Sequence, residues 1–203
     1  MKPIIYVIDD HPSMRRSLNS FLTVAGYDVH LFSAPAEFLE KCADACSGCI
    51  VLDVLMPGMN GLQLQRLLAD RDYCMPIIFI TGSGDIPMSV KAMKMGAVDF
   101  LQKPFKSKTL LDLVEKAVAR NRIELARRGE NLLAREKLVA LTPREKDVMN
   151  LVIKGRLNKQ IAVDLGIAEK TVKIHRGRVM VKTGSQSVAE LLLLVDRAGL
   201  RQE

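Results

Sequence analysis

Three aspartates stand directly after short apolar segments of the chain. Asp9 and Asp10 follow the segment Ile4–Ile8, and Asp53 follows Cys49–Leu52. Neighbouring carboxylates raise one another's pKa unless a cation offsets their charge, and hard oxygen ligands suit Mg²⁺. An aspartate can also attack a phosphoryl group and hold it as an acyl phosphate. The pattern predicts a phosphoacceptor site with Asp53 as the nucleophile; the alternative is that the acids only cap the following helices.

A hydroxyl and an ammonium group occur in the same positional pattern. Thr81 follows the apolar segment Ile77–Ile80, and Lys103 lies two residues after Ala97–Leu101. A cation beside the acids would neutralise the charge on the oxygens of a transferring phosphoryl group. Packing alone does not explain this combination. We therefore expect Thr81 and Lys103 to line the same site as the acids.

The elements that must position these residues alternate along the first 120 residues. Five short runs are predicted as strands: Ile4–Ile8, Asp28–Phe32, Cys49–Leu52, Ile77–Ile80 and Ala97–Leu101. Stretches of helical period follow them: Ser13–Ala25, Ala34–Cys42, Gly61–Asp70, Pro87–Met95 and Ser107–Ala119. This alternation predicts an α/β fold with a doubly wound, five-stranded parallel sheet, whose ligand site lies beyond the carboxyl ends of the strands.

The last third of the chain has helical patterns and no strands. After Leu141, the run Thr142-Pro143-Arg144-Glu145 supplies an N-cap, a proline at the first helical position and a capping-box acid. The segment 159–167 contains a short amphipathic helix that ends at a glycine, and residues 168–173 begin another helix. Such a pair is typical of a helix-turn-helix, so we predict an all-α domain.

The second helix of this pair has an apolar side and a basic side. Val172 and Val179 share the apolar side. The opposite side is formed by Lys170, Lys173, Ile174, Gly177 and Arg178. Gly177 costs the helix about 1 kcal/mol relative to alanine, and it either permits close approach to a duplex or is a tolerated weak point. A solvated basic helix is the alternative to a DNA-binding one.

The predicted DNA contacts fall into two groups. Thr171 and the free amides at the helix N-terminus suit a backbone phosphate, whereas Lys173 and Ile174 are better placed to meet base edges. Further phosphate contacts at the rim would come from His175, Arg176 and Lys182.

The net positive charge of the chain comes entirely from residues 122–203. Residues 1–121 carry 13 Lys and Arg against 13 Asp and Glu, whereas residues 122–203 carry 17 against 10, which accounts for the whole net charge of +7. This asymmetry favours a nucleic-acid partner, because a basic face releases counterions from a phosphate backbone. No apolar run approaches the roughly 18 residues of a membrane span and no signal peptide is evident, so we expect a cytoplasmic protein with no membrane partner.

The sequence predicts two domains and a connector. Residues 120–137 are mostly charged or helix-favouring, with Gly129 as an interruption, which indicates a helical, solvated connector. We place the phosphoacceptor domain at 1–120, the helical linker at 121–137 and the DNA-binding domain at 138–203.

The first 120 residues resemble the receiver domain of two-component response regulators. The resemblance is carried by Asp9-Asp10, Asp53-x-x-Met56-Pro57-x-x-x-Gly61, Thr81-Gly82 and Lys103-Pro104-Phe105. It implies a flavodoxin-like fold in which Asp53 accepts phosphate from a histidine kinase. It also implies that Thr81 swings to hydrogen-bond the phosphoryl group while Phe100 turns inward to fill the vacated space.

The same resemblance assigns the metal ligands. Mg²⁺ would be held by Asp10, Asp53 and the carbonyl of Leu55, with Asp9 assisting through water. Lys103 would contact the phosphoryl oxygens, and a cis peptide bond before Pro104 would aim its ammonium into the pocket.

From Leu141 to about Gly199 the chain is similar to the LuxR-type helix-turn-helix. The similarity is carried by Leu141-Thr142-x-Arg144-Glu145, Asn158-Lys159-x-Ile161-Ala162 and Lys170-Thr171-Val172-Lys173-x-His175. Together the two domains resemble response regulators of the NarL/FixJ type, and the segment 82–88 favours the FixJ branch. The resemblance implies a homodimer, promoted by phosphorylation, that binds double-stranded promoter DNA, acts with RNA polymerase and generally activates transcription.

Several features leave alternatives open. His11 stands where many receivers have a third acid; it is either a neutral, solvent-facing residue or one that reduces metal affinity at low pH. A phosphatase using Asp53 is disfavoured because Leu55 occupies the position of its partner acid, so we expect no enzyme. A receiver that works through protein contacts or phosphate buffering, with a tail that does not bind DNA specifically, is the remaining alternative.

The last predicted helix and the cysteines are also ambiguous. The helix Val188–Ala198 is more apolar than one core face requires, so it either contacts a second copy on DNA or is simply buried. Cys42, Cys46 and Cys49 could approach one another as a metal or redox site, but three thiols without a fourth ligand make a poor zinc site. Buried, unreactive thiols are the simpler interpretation.

Overall fold

The computed structural model describes residues 2–42, 47–71, 73–82, 90 and 92–200. It divides into two compact units, Met1–Leu125 and Ala126–Glu203.

The first unit is a parallel sheet with helices between its strands, as predicted. The strands are β1 (Ile4–Ile8), β2 (Asp28–Phe32), β3 (Cys49–Asp53), β4 (Ile77–Thr81) and β5 (Asp99–Gln102). The helices are α1 (Pro12–Val24), α2 (Pro35–Cys42), α3 (Gly61–Asp70) and the first part of α4 (Ser107–Val139), whose residues from Ala126 onward belong to the second unit. Residues 92–94 are helical, and the remainder of the predicted helix Pro87–Met95 lies largely outside the described residues.

The strand order brings the acids to one edge of the sheet. The order is β2-β1-β3-β4-β5, and all four pairings are parallel. Because Ile8 pairs with Leu52, the residues that follow, Asp9 and Asp53, leave neighbouring strands at the same level. Thr81 pairs with Gln102, the residue before Lys103. Parallel pairing therefore places the four functional side chains at the carboxyl edge.

Apolar side chains on both faces of the sheet hold this arrangement. β3 and β4 are buried along their whole length, which suits central strands covered on both faces by helices. One face packs Phe38, Leu64 and Phe79 into a core, and the other packs Leu22, Ile80 and Leu110. Each such fully buried side chain contributes about 1.5–3 kcal/mol.

A buried amide fastens α4 to the opposite edge of the sheet. Asn121 Oδ1 accepts a hydrogen bond from Gly48 N at 2.9 Å, and its Nδ2 donates to the Cys74 carbonyl at 3.3 Å. Gly48 has φ of +126°, and a Cβ at this position would collide with the Ile4 carbonyl. Asn121 is 2% exposed, so it belongs to the packing of the first unit, one residue beyond the predicted end of that domain.

The second unit is helical. It contains α5 (Pro143–Ile153), α6 (Asn158–Leu165), α7 (Glu169–Thr183) and α8 (Val188–Arg197). Thr142 and Glu145 form the predicted capping box at the start of α5. Gly166, with φ of +64°, ends α6 in the left-handed conformation that glycine favours.

The segment predicted as a connector is part of a single helix. α4 runs for 33 residues from Ser107 to Val139, and its last turns supply Ala134 and Leu138 to the core of the second unit. Arg135 Nε donates to the Ala198 carbonyl at 3.0 Å, which satisfies a free carbonyl at the end of α8. Among the described residues, no helix is both long and apolar enough to cross a membrane.

Candidate functional site

The structure brings the predicted acids and the predicted cation together. Lys103 Nζ donates to Asp9 Oδ2 and to Asp53 Oδ1, each at 2.9 Å. The side chains of Asp9 and Asp53 are almost completely buried, and that of Lys103 is 18% exposed. The peptide bond between Lys103 and Pro104 is cis, as the resemblance implied. We call Asp9, Asp10, Asp53 and Lys103 the carboxylate pocket.

The environment of the carboxylate pocket shifts the pKa values of Asp53 and Lys103. Burial raises the pKa of Asp53 above its ordinary value, and the charges of Asp9 and Asp10 add to that rise, while Lys103 opposes it. Burial would lower the pKa of Lys103, but its hydrogen bonds to Asp53 and Asp9 outweigh burial and raise it. One ammonium thus offsets the three carboxylates incompletely, and the pocket retains an excess of negative charge.

Asp10 and His11 occupy the open side of the pocket. His11 Nδ1 lies 2.8 Å from Asp10 Oδ1 and 3.5 Å from Asp9 Oδ1. The first separation allows an ion pair when the imidazole is protonated, but Asp10 Oδ1 is buried and has no hydrogen-bond partner among the described residues. An unsatisfied carboxylate oxygen in an anionic pocket fits a divalent cation. The residues present therefore suit the metal that the resemblance implied.

The predicted switch residues lie on neighbouring strands. Thr81 is fully buried at the end of β4, and its carbonyl accepts a hydrogen bond from Lys103 N at 2.7 Å. Phe100 is half-buried on β5, with its ring centroid 6.3 Å from that of Phe79. Leu55 exposes half of its surface just beyond β3, in line with a side chain that plays no part in the pocket.

Gly61 allows α3 to begin close to the end of β3. Its amide donates to the Val54 carbonyl at 3.0 Å. A Cβ at this position would collide with the Asp53 carbonyl and would lie 3.0 Å from the Phe79 ring. The glycine of the Met56-Pro57-x-x-x-Gly61 motif is therefore required by the backbone of Asp53 itself.

The basic helix α7 has the two sides that the sequence predicted. Val172 and Val179 are buried, and Thr171 is half-buried in the first turn. The opposite side is exposed at Lys170, Lys173, Ile174, Gly177 and Arg178. His175 is half-buried, and its Nδ1 has no hydrogen-bond partner among the described residues. A Cβ added at Gly177 would meet no atom within 4 Å outside the adjacent backbone of its own helix.

Two of the predicted DNA-contacting cations also hold the domain together. Lys182 Nζ donates to the buried carboxylate of Glu145 at 2.7 Å and to the Ala140 carbonyl at 3.3 Å. Arg176 Nη1 donates to Asn158 Oδ1 at 3.0 Å, which joins α7 to the start of α6. Sequence reasoning missed both links. The spacing of residues within one helix does not predict which residue of another helix they contact. For Glu145 a partial signal exists, because a capping acid in an apolar environment needs a cation.

The cysteines show no metal or redox arrangement among the described residues. Cys49 is fully buried in β3, and burial raises the pKa of its thiol; burial also raises the pKa of Cys42. A high pKa keeps a thiol protonated and unreactive. Cys46, the third member of the predicted cluster, lies outside the described residues, as do residues 83–88 of the segment that favoured the FixJ branch.

Comparisons with known proteins identify a family for each of the two units. Residues 5–115 match the family described as response regulator receiver domain, and residues 139–195 match the bacterial regulatory proteins of the luxR family. The chain is similar to nodulation protein W of Bradyrhizobium diazoefficiens, with 46% identity over 98% of this chain and 88% of that protein. It is similar to the transcriptional regulatory protein FixJ of the same organism, with 40% identity over 97% of this chain and 96% of that protein.

Solved structures show the same architecture. The response regulator StyR shares 44% identity with a TM-score of 0.86, over 97% of this chain and 100% of that one. Full-length FixJ from B. japonicum shares 39% identity with a TM-score of 0.59, over 100% of both chains.

The substitution Gly61→Ala tests the contact between α3 and Asp53. We expect it to destabilise the first unit by about 1–3 kcal/mol, because the added methyl group must displace backbone atoms. Gly82→Ala is the matched control, since a Cβ at Gly82 meets no atom within 4 Å. Urea unfolding followed by the near-ultraviolet signal of the tyrosines measures this unit, since Tyr6, Tyr27 and Tyr73 all lie in it. Equal stability of the two variants would contradict the contact.

The substitution Glu145→Gln tests the ion pair that holds α7. The hydrogen bond from Lys182, with those from Thr142, lowers the pKa of Glu145 from 4.5 to about 2. The charged form therefore stabilises the fold above pH 4.5, and this stabilisation is lost as the pH falls towards 2. We expect the variant of fragment 126–203 to lose several degrees of Tm at pH 7 and to approach the parent fragment in acid.

Glu169→Gln is the control for this measurement. Glu169 pairs with Lys173 at 3.4 Å on the exposed surface of α7, where an ion pair contributes little. A parent and a Glu145→Gln fragment with the same Tm across this pH range would show that the pair does not stabilise the domain.

Proposed function

Because the chain belongs to the response regulators that join a receiver domain to a LuxR-type DNA-binding domain, we propose that phosphorylation of Asp53 controls its binding to promoter DNA. Members of this family are transcriptional regulators of two-component systems and not enzymes. The observation that carries the proposal is the position of Lys103 Nζ, 2.9 Å from both Asp9 and Asp53 inside a buried pocket.

In the proposed reaction, an oxygen of Asp53 attacks the phosphorus atom of a phosphohistidine on a sensor kinase. The new bond joins that oxygen to phosphorus, the bond from phosphorus to the histidine nitrogen breaks, and the nitrogen leaves with the electron pair. Lys103, already hydrogen-bonded to Asp53, contacts the transferred oxygens. A bound Mg²⁺, held by Asp10, Asp53 and the Leu55 carbonyl with Asp9 assisting through water, would neutralise charge on those oxygens.

Side chains on the neighbouring strands then respond to the phosphoryl group. Thr81, buried one strand away from Asp53, turns its hydroxyl to the phosphoryl oxygens. Phe100, half-buried beside Phe79, moves into the space that Thr81 vacates. The change in charge at Asp53 thereby becomes a change in packing at β5.

The exposed side of α7 is the proposed DNA-binding surface. Thr171 and the helix N-terminus meet a backbone phosphate, and Lys173 and Ile174 meet base edges in the major groove. The other proposed contacts come from Lys170, His175, Arg176, Gly177, Arg178 and Lys182. Because Arg176 and Lys182 have partners within the domain, we assign them contacts at the rim.

Phosphorylation is proposed to favour a homodimer on DNA. Leu193 of α8 is 57% exposed, so α8 retains apolar surface beyond its buried side. A dimer would double the contacts to two half-sites of a promoter and would present a surface to RNA polymerase, with activation of transcription as the outcome. With promoter DNA and RNA polymerase as partners, the proposed location of the protein is the cytoplasm.

The substitution Asp53→Asn tests the phosphoacceptor. We expect the parent protein, incubated with acetyl phosphate and Mg²⁺, to gain one phosphoryl group by intact mass and to shift towards a dimer in gel filtration. Asp53→Asn should show neither change, because its amide cannot form the acyl phosphate. Asp70→Asn, on the exposed end of α3, is the matched control and should behave as the parent. Uptake by Asp53→Asn equal to the parent's would overturn the assignment.

The substitution Gly177→Ala separates stability from DNA binding. The alanine Cβ meets no atom within 4 Å outside the adjacent backbone of its own helix, so we expect the substitution to stabilise α7 by up to about 1 kcal/mol. The same methyl group should weaken binding to a duplex that the parent selects from a random pool, measured by fluorescence anisotropy at fixed salt. Gly129→Ala, also exposed within a helix, is the control: it should gain stability and bind as the parent. Unchanged binding by Gly177→Ala would exclude close approach at this position.

A further inference from the structure

We propose that His11 supplies a nitrogen ligand to the divalent cation of the carboxylate pocket, so that the pocket favours a transition metal such as Co²⁺ more strongly than an all-oxygen site would. The inference rests on the proposed function, since it concerns the same metal site. It assigns His11 a role in metal selectivity, in place of the two roles that the sequence left open for this residue.

The first support is the position of the imidazole nitrogen. His11 Nδ1 lies 2.8 Å from Asp10 Oδ1 and 3.5 Å from Asp9 Oδ1. Two adjacent ligands at about 2.1 Å from an octahedral metal are separated by about 3.0 Å. The ligand atoms of Asp9, Asp10 and His11 all lie within 4.8 Å of one another. The separation of 2.8 Å between His11 Nδ1 and Asp10 Oδ1 is therefore close to that of two neighbouring ligands of one metal, with Asp9 Oδ1 nearby.

The second support is the way the backbone holds His11. Its amide donates to Asp9 Oδ1 at 2.8 Å, and His11 is the N-cap of α1, directly before Pro12. Proline fixes its own backbone and restricts that of the preceding residue. The ring is 67% exposed, yet its Nδ1 edge faces the acids. Asp10 Oδ1, buried and without a hydrogen-bond donor, lies on the same side.

The chemistry of the donors sets the expected preference. Mg²⁺ prefers carboxylates, carbonyls and water, whereas imidazole nitrogen binds Co²⁺, Ni²⁺ and Zn²⁺ well. Adding one such nitrogen to a site of oxygen ligands raises the affinity for Co²⁺ relative to Mg²⁺. A different role, in which a protonated His11 serves as a counter-ion of Asp10 and excludes metal, makes the opposite prediction.

The test measures metal binding to the full-length chain, with His11→Gln as the variant. Co²⁺ is titrated by visible absorbance, and only the Co²⁺ that Mg²⁺ displaces is counted, because thiol sites do not exchange with Mg²⁺. His30→Gln is the matched control: His30 is 45% exposed, and its Nε2 lies 3.8 Å from Asp28. Circular dichroism confirms that both variants are folded.

We expect the Kd for Mg²⁺ divided by the Kd for Co²⁺ to fall at least about tenfold in His11→Gln, as for loss of a metal contact, and to stay unchanged in His30→Gln. An unchanged ratio in His11→Gln, or a rise in affinity for both metals, would overturn the inference. So would a parent protein that holds no Co²⁺ displaceable by Mg²⁺. Phosphoryl uptake with Mg²⁺ alone is measured in parallel: a parent with the expected metal preference and no uptake overturns the proposed function and leaves this inference standing.

Discussion

The two hydrogen bonds from Lys103 to Asp9 and Asp53 constrain the rest of the receiver unit. Two buried carboxylates without a cation would cost several kcal/mol, so the ends of β1, β3 and β5 must meet within the reach of one lysine side chain. The parallel order β2-β1-β3-β4-β5 satisfies this requirement, because it puts all strand ends at one edge. One ammonium against three acids still leaves the pocket anionic, and that residual negative charge suits the divalent cation proposed for this site.

The second unit depends on a comparable pair. Glu145 is buried at the start of α5, and Lys182 reaches it from the last turn of α7. The pair, with the bond from Arg176 to Asn158, fixes the middle and the last turn of α7 relative to α6 and α5. A recognition helix held in this way presents its exposed side chains in one orientation. Side chains that would otherwise be free to contact phosphate are used in part for positioning.

Local patterns predicted most of the fold and the pocket, and distant contacts were missed. Alternation of apolar runs was enough for the five strands, and their ends located Asp53 and Lys103, because a parallel sheet has only one carboxyl edge. The bounds of α4 were not predicted, since a charged helical stretch looks the same whether it is solvated or contributes Ala134 to a core. Asn121 carried no signal either, because its partners are backbone groups 47 and 73 residues away in sequence.

Gly61 and Gly177 differ in whether contacts within the protein require a glycine. Gly61 is required by atoms of the protein, since any side chain would displace the Asp53 carbonyl. Gly177 is not, because the space around it is open and alanine would favour the helix. Gly177 lowers the stability of its own helix and no contact in the described domain requires it, so it is either a tolerated weak point or a position that a partner outside the chain approaches closely. On a basic helix whose opposite side is buried, the phosphate backbone of a duplex is the partner that would come close enough.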